Sequence, residues 1–340
     1  EAETIRKIII AMTDDLRVIF IKLADRIHNL KTLKYLSEEK QKQVALETLE
    51  IYAPIANRLG MGRIKAELED LSFRFVDPEN YFKVSELLEP RRKAAEVELK
   101  KISRSILKKM RDNGIPAEIF FRIKRLYSIF NKMNRQSIDF DQVYDLMALR
   151  LITNSVKNCY ATLGIIHQNW PHLPHRFRDF IAMPKPNLYQ ALHTTIITEE
   201  KHMFEIQIRT RDMHDLAENG IAAHWKYKDA DPHSIMKDDQ RLLWLREMVD
   251  LYKEQKSPRE FLKALKTDLI PEEVYVFTPN GQVVPLPLGA TALDFAFRIH
   301  TEIGHTAQGA KINGTPSRKK DIHVADLLAD HPDLNTRKAM

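Results

Sequence analysis

At Asn113-Gly114 the chain changes its periodicity, and that change limits what it can fold into. Before this point apolar residues recur every three or four positions, the spacing of one helix face. After it, short alternating or apolar runs alternate with helical stretches, the pattern of a sheet covered by helices. Asn113-Gly114 reads as a helix stop, with Gly114 just past the end where a positive φ is needed. We therefore place a domain boundary at residue 114, between an all-helical part and a sheet-bearing part.

Within the helical part, Ile5–Leu36 reads as one helix. Ile8, Ile9, Val18, Ile19, Leu23, Ile27 and Leu30 form its apolar stripe, and Thr13 ahead of Asp14-Asp15 its N-cap. Asp25, His28 and Asn29 follow at i, i+3 and i+4 and share a face. A carboxylate and an imidazole there suit a metal, but two ligands make no site, and a helix-surface salt bridge explains them as well. Further helices are expected at Glu38–Ile55 and Ile64–Phe75. Asp77-Pro78 marks a break with Pro78 at a first helical position. A long helical stretch then runs to Met110, interrupted by Pro90, with Leu99, Ile102, Ile106 and Met110 as its seam.

A length of 340 residues leaves room for two or three domains. The net charge of +6 fits phosphate-bearing ligands or RNA without proving either. Cys159 is the single cysteine, so an internal disulfide and a multi-cysteine metal site are excluded. Its neighbours Tyr160, Leu163 and Ile166 predict a buried, inert thiol. No apolar run approaches the ~18 residues of a membrane span, and no signal peptide is visible. The chain opens at Glu1 inside a helical pattern, so a longer parent is expected.

In the second part, Ala117–Ile123 reads as a strand, and Leu126, Ile129, Phe130 and Met133 as the buried face of a helix. Lys124, Ser128 and Lys132 recur at steps of four on its other face, a row that suits a triphosphate or simply a solvated surface. Gln142–Thr153 reads as a central strand, apolar on both faces. Asp145 is anomalous there, because a buried carboxylate needs a cationic partner or a metal. Asn158–Trp170 is expected to be a helix, and Leu192–Thr198 and Met203–Arg209 strands. In the last of these, a period of two puts Glu205, Gln207 and Arg209 on one face and Ile206 and Ile208 on the other.

Arg176–His193, RFRDFIAMPKPNLYQALH, gathers Arg176, Arg178, Lys185, Asn187, Tyr189, Gln190 and His193. Pro184 and Pro186 predict a stiff extended loop over Met183–Asn187. Cations for phosphates, amides for base edges and an aromatic plate describe a nucleotide pocket. Thr210–Trp225 reads as helix. Asp229–Pro271 reads as a polar stretch and linker helix with Trp244, Leu245, Met248 and Leu251 on its apolar side. From Glu272 the chain turns to short strands, with an Asn280-Gly281 hairpin turn, a helix at Thr291–Ile303, and strand and turn at Gly309–Gly314.

Several of these segments resemble one family. KLADRIHNLKTL and ETLEIYAPIANRLG are similar to the second half of the HD hydrolase domain of the long RelA/SpoT homologues, which make and destroy the alarmone (p)ppGpp in the stringent response. RIKRLYSIFNKM, VYDLMALRL, CYATLGIIH, RFRDFIAMPKPNLYQALHTT and EIQIRTRDMHDLAENGIAAHWKYK, in that order, resemble the family's synthetase domain. Glu272–Asn313 resembles a TGS domain, and the tail after Asn313 departs from it. The resemblance implies an α+β multidomain chain. Its parts are an all-helical HD remnant at 1–76, connecting helices at 77–114, a mixed-sheet nucleotidyltransferase-like synthetase domain at 115–230, a linker helix at 231–270 and a small β-grasp TGS-like segment at 271–340.

It also implies a reaction: the β,γ-pyrophosphate of ATP moves to the 3′-hydroxyl of GDP or GTP. By this resemblance Asp145 and Glu205 hold Mg²⁺, and Glu205 is a candidate base for that hydroxyl. Arg122 packs on adenine, while Lys124, Ser128 and Lys132 grip the ATP phosphates. Arg178 and Lys185 lie near nucleotide phosphates, Tyr189 stacks on guanine with Asn187 at its edge, and His193 meets an acceptor phosphate. Gln207 and Arg209 share the matched strand, and Arg176 and Gln190 the matched loop. Asp25 would be the last ligand of a Mn²⁺ hydrolase site, with Asn29 in the same pocket. The dipeptide His214-Asp215 is read as unrelated to that site. His175 stands where the family has Gly, and the basic RFRD run is similar to the bifunctional branch. A cytoplasmic enzyme is expected. The alternatives are a (p)ppGpp hydrolase within a longer parent, or a non-catalytic module sensing tRNA and the ribosome through the TGS-like segment.

Overall fold

The computed structural model describes residues 2–143, 145–185, 187–223, 257–269, 273–278, 283–287, 290–307, 309–312 and 315–318. It forms two compact units, Glu1–Leu269 and Ile270–Met340.

The first unit begins with α1 (Ala2–Asp14) and α2 (Leu16–Thr32), where one helix was expected. The break falls at Asp15, whose extended backbone (φ −140°, ψ 113°) and side chain accepting from Arg17 N–H make it the N-cap in place of Thr13. α3 (Glu38–Glu47) passes through a π-helical turn (Thr48–Tyr52) into α4 (Ala53–Arg58), and α5 spans Gly62–Val76. These helices enclose a core that includes Ile19, Leu23, Leu30, Ile51, Ile55 and Leu68.

α6 (Pro78–Asp112) runs unbroken through Pro90, against the expected interruption. A mid-helix proline costs roughly 3 kcal/mol, but both halves of α6 are anchored. Val84 and Leu88 enter one cluster with Ile129, Phe140, Val143 and Leu146. Leu99, Ile102, Ile106 and Met110 enter another beneath the sheet. The helix ends as expected: Gly114 takes φ +67°, its N–H donates to Arg111 O, and Ile115 N–H donates to Met110 O. Those two bonds make a Schellman motif, and Ile115 packs in the same cluster as Met110.

Next come β1 (Ala117–Ile123), α7 (Leu126–Gln136), β2 (Met147–Thr153), α8 (Val156–Asn169), β3 (Arg178–Asp179), β4 (Leu192–Ile197), β5 (Met203–Thr210) and α9 (Arg211–Asn219). The strands form one sheet in the order β1-β2-β5-β4-β3. Only β2 and β5 pair in parallel. Leu149, Leu151, Leu192, Ile196, Ile206 and Ile208 pack on one face against α6 and on Cys159 and Ile166 of α8. Burial pushes the Cys159 thiol up to about 11, in keeping with an inert core cysteine.

Two expectations change here. β2 starts at Met147, so Asp145 lies in the turn before it. The strand is also not apolar on both faces, since Arg150 projects opposite Leu149 and Leu151. The Arg176–His193 stretch turns at both ends of its proline segment. Asp179 Oδ1 accepts from Ile181 N–H and Ala182 N–H. Lys185 N–H donates to Tyr189 O at 3.1 Å, with Leu188 at φ +62°.

α9 is followed by Gly220 at φ +57° and ψ −132°, a conformation only glycine adopts readily. A Cβ there would stand 2.2 Å from Leu59 O, and Ile221 N–H donates to that same oxygen at 3.0 Å. α10 (Pro258–Leu269) adds Phe261, Leu265 and Leu269 to the helical core. In the second unit, β6 (Glu273–Phe277) pairs antiparallel with β7 (Val283–Pro287). The helix expected at Thr291–Ile303 divides at His300 into α11 (Ala292–Ile299) and α12 (Thr301–Thr306), after which β8 (Gly309–Ile312) pairs with β9 (Thr315–Arg318). The Trp244–Leu251 helix, Trp225, the Asn280-Gly281 turn and the tail beyond Arg318 lie outside the described residues.

Candidate active site

The face of the sheet opposite the apolar core is polar, and strand register assembles it. Cross-strand partners point the same way, so the row Arg122, Ala148, Glu205, Thr195 lies beside the row Phe120, Arg150, Gln207, His193, Arg178. Arg209 follows on β5, opposite Ile152. The alternation expected for β5 holds.

Asp145 anchors one end of this face. Its Oδ2 accepts from Lys124 Nζ at 2.6 Å and its Oδ1 from Lys132 Nζ at 2.7 Å. Burial opposes its charge, but Lys124 and Lys132 outweigh that and hold the carboxyl below its ordinary value. Burial lowers the Lys124 ammonium, against the pull of Asp145 and Glu205. Lys124 therefore feels both acids, but it precedes α7 rather than riding on it; Ser128 and Lys132 are the two of the row on the helix.

Glu205 centres the other end. Its Oε1 is 2.7 Å from His193 Nδ1 and accepts from Gln207 Nε2 at 2.9 Å. Burial pushes this carboxyl up, yet hydrogen bonding and charge from His193, with Gln207 and Arg122, bring it down to about 2. His193 is itself lowered, by burial against Glu205, so its imidazole is neutral at neutral pH. One tautomer fits both contacts: Nδ1–H donates to Glu205, and Nε2 accepts the Tyr189 hydroxyl 2.8 Å away. At neutral pH the acid is thus held by a neutral donor, and the His193 charge that helps bring it to about 2 arises only when the imidazole is protonated in acid.

A third cluster lies farther along β5. Arg209, only 1% exposed, donates to His214 Nδ1 at 2.8 Å and to Glu218 Oε1 at 3.2 Å. Arg150 Nη1 meets the same Glu218 oxygen at 2.9 Å. Burial and the adjacent arginines push His214 down to about 4, leaving it a neutral acceptor. Burial and Arg209 lower Arg150 to about 10, still a cation at neutral pH. The Nε groups of both arginines are buried with no hydrogen-bond acceptor. Arg150 and Glu218 were not anticipated. The signal for Arg150 was a lone cation among Leu149, Leu151 and Ile152, whereas Glu218 gains meaning only from the fold.

In the proline segment, Lys185 Nζ lies 4.5 Å from the centre of the Phe180 ring and 5.6 Å from that of Tyr189. Arg209 reaches the Tyr189 ring as well, with Cζ at 5.9 Å. Asn187 Oδ1 accepts from Tyr189 N–H, and its Nδ2 donates to Asn57 O at 3.3 Å. Gln190 Nε2 donates to Ile181 O at 3.3 Å, a contact that holds the loop. Arg178 shares the polar face through its pairing with His193, but its guanidinium donates to the carbonyls of His175 and Phe177. Arg176 occupies the short 3₁₀ turn just before β3. Asp25 and Asn29 belong to α2, where Asn29 Nδ2 donates to Asp25 Oδ2 at 3.3 Å.

Three family profiles match the chain: "HD domain" at residues 1–62, "Region found in RelA / SpoT proteins" at 121–232, and "TGS domain" at 274–327. A GTP pyrophosphokinase of Myxococcus xanthus is 50% identical over 339 residues, 98% of this chain and 45% of that relative. The chain belongs to the RelA/SpoT family. The bifunctional (p)ppGpp synthase/hydrolase RelA of Mycobacterium tuberculosis is 44% identical over 321 residues, 92% of this chain and 43% of the relative. A probable guanosine-3′,5′-bis(diphosphate) 3′-pyrophosphohydrolase of Synechocystis is 43% identical over 346 residues, 98% of this chain and 46% of the relative. The chain thus spans under half the length of these curated relatives. The RelA/SpoT region covers the whole polar face from Arg122 to Arg209, and the HD region covers Asp25 and Asn29. The TGS match extends past Asn313.

Proposed function

We propose that the polar face is a (p)ppGpp synthetase site. It transfers the β,γ-pyrophosphoryl group of ATP to the 3′-hydroxyl of GDP or GTP: the hydroxyl oxygen bonds to the β-phosphorus, the bond from that phosphorus to the bridging oxygen breaks, and AMP leaves. The observation that carries this reading is a pair of acids, Asp145 and Glu205, set among Lys124, Lys132, Arg122 and Lys185. Carboxylates repel phosphates, so a face that only binds nucleotide has no use for them.

The acids fit a hard divalent cation, since both are ionised oxygen donors and Lys124 lies within electrostatic reach of each. Asp145 and Glu205 would hold Mg²⁺, which would supply Lewis acidity at the reacting phosphates. Lys124, with Ser128 and Lys132 of α7, binds the ATP phosphates. Arg122 packs on adenine. Tyr189 stacks on guanine, Asn187 reads its edge, and Lys185 and Arg178 screen phosphate charge. His193, neutral and donating to Glu205, orients that carboxylate beside the acceptor. Held below its ordinary value, Glu205 stays ionised at neutral pH and is a weak proton acceptor, which favours anchoring a cation over general-base work. The buried Nε groups of Arg150 and Arg209 offer donors that phosphate oxygens would satisfy.

The test incubates the chain with labelled ATP, GDP and Mg²⁺. Release of AMP together with ppGpp supports the reading, and ATP hydrolysis without ppGpp would sink it. A second activity is favoured by the HD match and by the contact of Asp25 with Asn29 on one face of α2. These residues would contribute to a Mn²⁺-dependent (p)ppGpp hydrolase site in the full-length parent. Pyrophosphate release from ppGpp with Mn²⁺ tests it. The TGS-like unit is proposed to contact tRNA on the ribosome, and a cytoplasmic location is proposed with it. Among the described residues no helix is long and apolar enough to cross a membrane.

A further inference from the structure

A separate set of ligand-type side chains meets at the turn between β4 and β5. Thr198–His202 is a tight hairpin: Thr198 N–H donates to His202 O, Lys201 N–H donates to Thr198 O, both at 2.9 Å, and Lys201 takes φ +63°. The turn brings Glu200 and His202 to Glu98 of α6, and one ligand atom from each residue lies within 4.8 Å of the other two. His202 Nδ1 is 2.5 Å from Glu98 Oε2. Glu98 is only 7% exposed, and its other oxygen, Oε1, is buried with no hydrogen-bond partner among the described residues. A buried carboxylate oxygen without a donor is costly, by roughly 1–3 kcal/mol or more. A metal ion at this cluster would remove that cost.

We propose that Glu98, Glu200 and His202 form a binding site for a divalent cation of the zinc class. One imidazole nitrogen and two carboxylate oxygens suit a borderline metal better than Mg²⁺, which prefers oxygen alone. Zinc bonds of about 2.0–2.2 Å set ligand atoms roughly 3.3–3.6 Å apart in a tetrahedron, with water as fourth ligand. The His202–Glu98 pair must therefore open by about 1 Å. Glu200 offers its oxygen within 4.8 Å of both, and both turn residues are exposed enough to adjust. Lys101 Nζ, 3.7 Å from Glu200 Oε1, is the competing cation, and at 69% exposure it can swing into solvent.

The ion would staple α6 to the tip of the hairpin. Glu205 lies three positions beyond His202 along the chain, roughly 10 Å, so the staple would also steady the strand carrying that acid.

Equilibrium dialysis of the full chain against Zn²⁺ tests this by difference, because any uptake at Asp145 and Glu205 is common to all variants. His202→Ala and Glu98→Gln are each expected to bind one Zn²⁺ fewer per chain than wild type. Added Zn²⁺ should raise the melting temperature of wild type more than theirs, and Co²⁺ should give wild type alone the visible absorption of a tetrahedral site. His202 is exposed, so His202→Ala decides the matter even where Glu98→Gln fails to fold. Equal stoichiometry and an equal Zn²⁺-induced shift in wild type and His202→Ala overturn the proposal.

Discussion

The two faces of the five-stranded sheet are made by the same residues of the chain taken alternately, yet they obey opposite rules. On one side Ile206 and Ile208 are sealed against α6 and α8. On the other, Glu205, Gln207 and Arg209 are also largely enclosed, but every one of them has a polar partner. The apolar face gains stability from area removed from water. The polar face gives some of it up, crowding Arg122, Arg150 and Arg209 near one another and leaving two guanidinium N–H groups without acceptors. A protein keeps such a surface only where charge is wanted.

The sharpest way to break this contrast is Asp145→Ala. Turnover of ATP and GDP should fall on the order of 10²–10³-fold, while circular dichroism still reports the native fold; the melting temperature should drop, because Lys124 and Lys132 lose their counter-charge. Near-full activity in the purified variant would remove the acid pair from the chemistry. Ile208→Ala is the mirror experiment. It should lower unfolding free energy by about 2–5 kcal/mol, read by urea titration, with turnover per folded molecule little changed. A large loss of turnover in the folded fraction would mean that the faces are not separable.

Acid is expected to act on the polar face first. His193 and His214 are held neutral below their ordinary range, so the unfolded chain takes up protons there as the pH drops below about 6.5 and stability declines. Glu205, depressed to about 2, contributes stability that is complete above its unfolded value of 4.5 and is lost as the pH falls toward 2. Asp145 and Glu218 act with the same sign. The melting temperature of Glu205→Gln should therefore decline less steeply than wild type between pH 4.5 and 2; parallel curves would count against the charge assigned to this acid. The smallest effect is expected for Tyr189→Phe. Losing the hydroxyl that fixes the His193 tautomer should cost about 0.5–1.5 kcal/mol, seen as a few-fold rise in KM. A change of a hundredfold or more would give the hydroxyl a direct part in the reaction.

Much of this was legible in the chain. β1 has the expected bounds because a helix-stopping glycine and a following helix fix both ends. The alternation of β5 shows in five residues. The run from Gln142 to Thr153 misled because it joins two cores. Val143 and Leu146 pack with Phe140 and Ile129, while Leu149 and Leu151 lie under the sheet. Continuous hydrophobicity therefore hid the turn that presents Asp145. Glu218 was invisible for another reason: it meets Arg150 only because β2 and β5 pair in parallel and α9 folds back over them. The break at Asp15 shows how one carboxylate, accepting the Arg17 N–H at the start of its own helix, overrides an unbroken apolar stripe.

The grip of Lys124 and Lys132 on Asp145 has a consequence for how substrate enters. Before any nucleotide arrives, the two ammoniums already have a counter-charge, so an incoming triphosphate does not meet bare cations. In the proposed reaction it would take them over from a carboxylate, which would then be free to serve as a metal ligand. Entry is thus an exchange of partners, and its dependence on ionic strength should be shallower than the number of lysines alone would suggest.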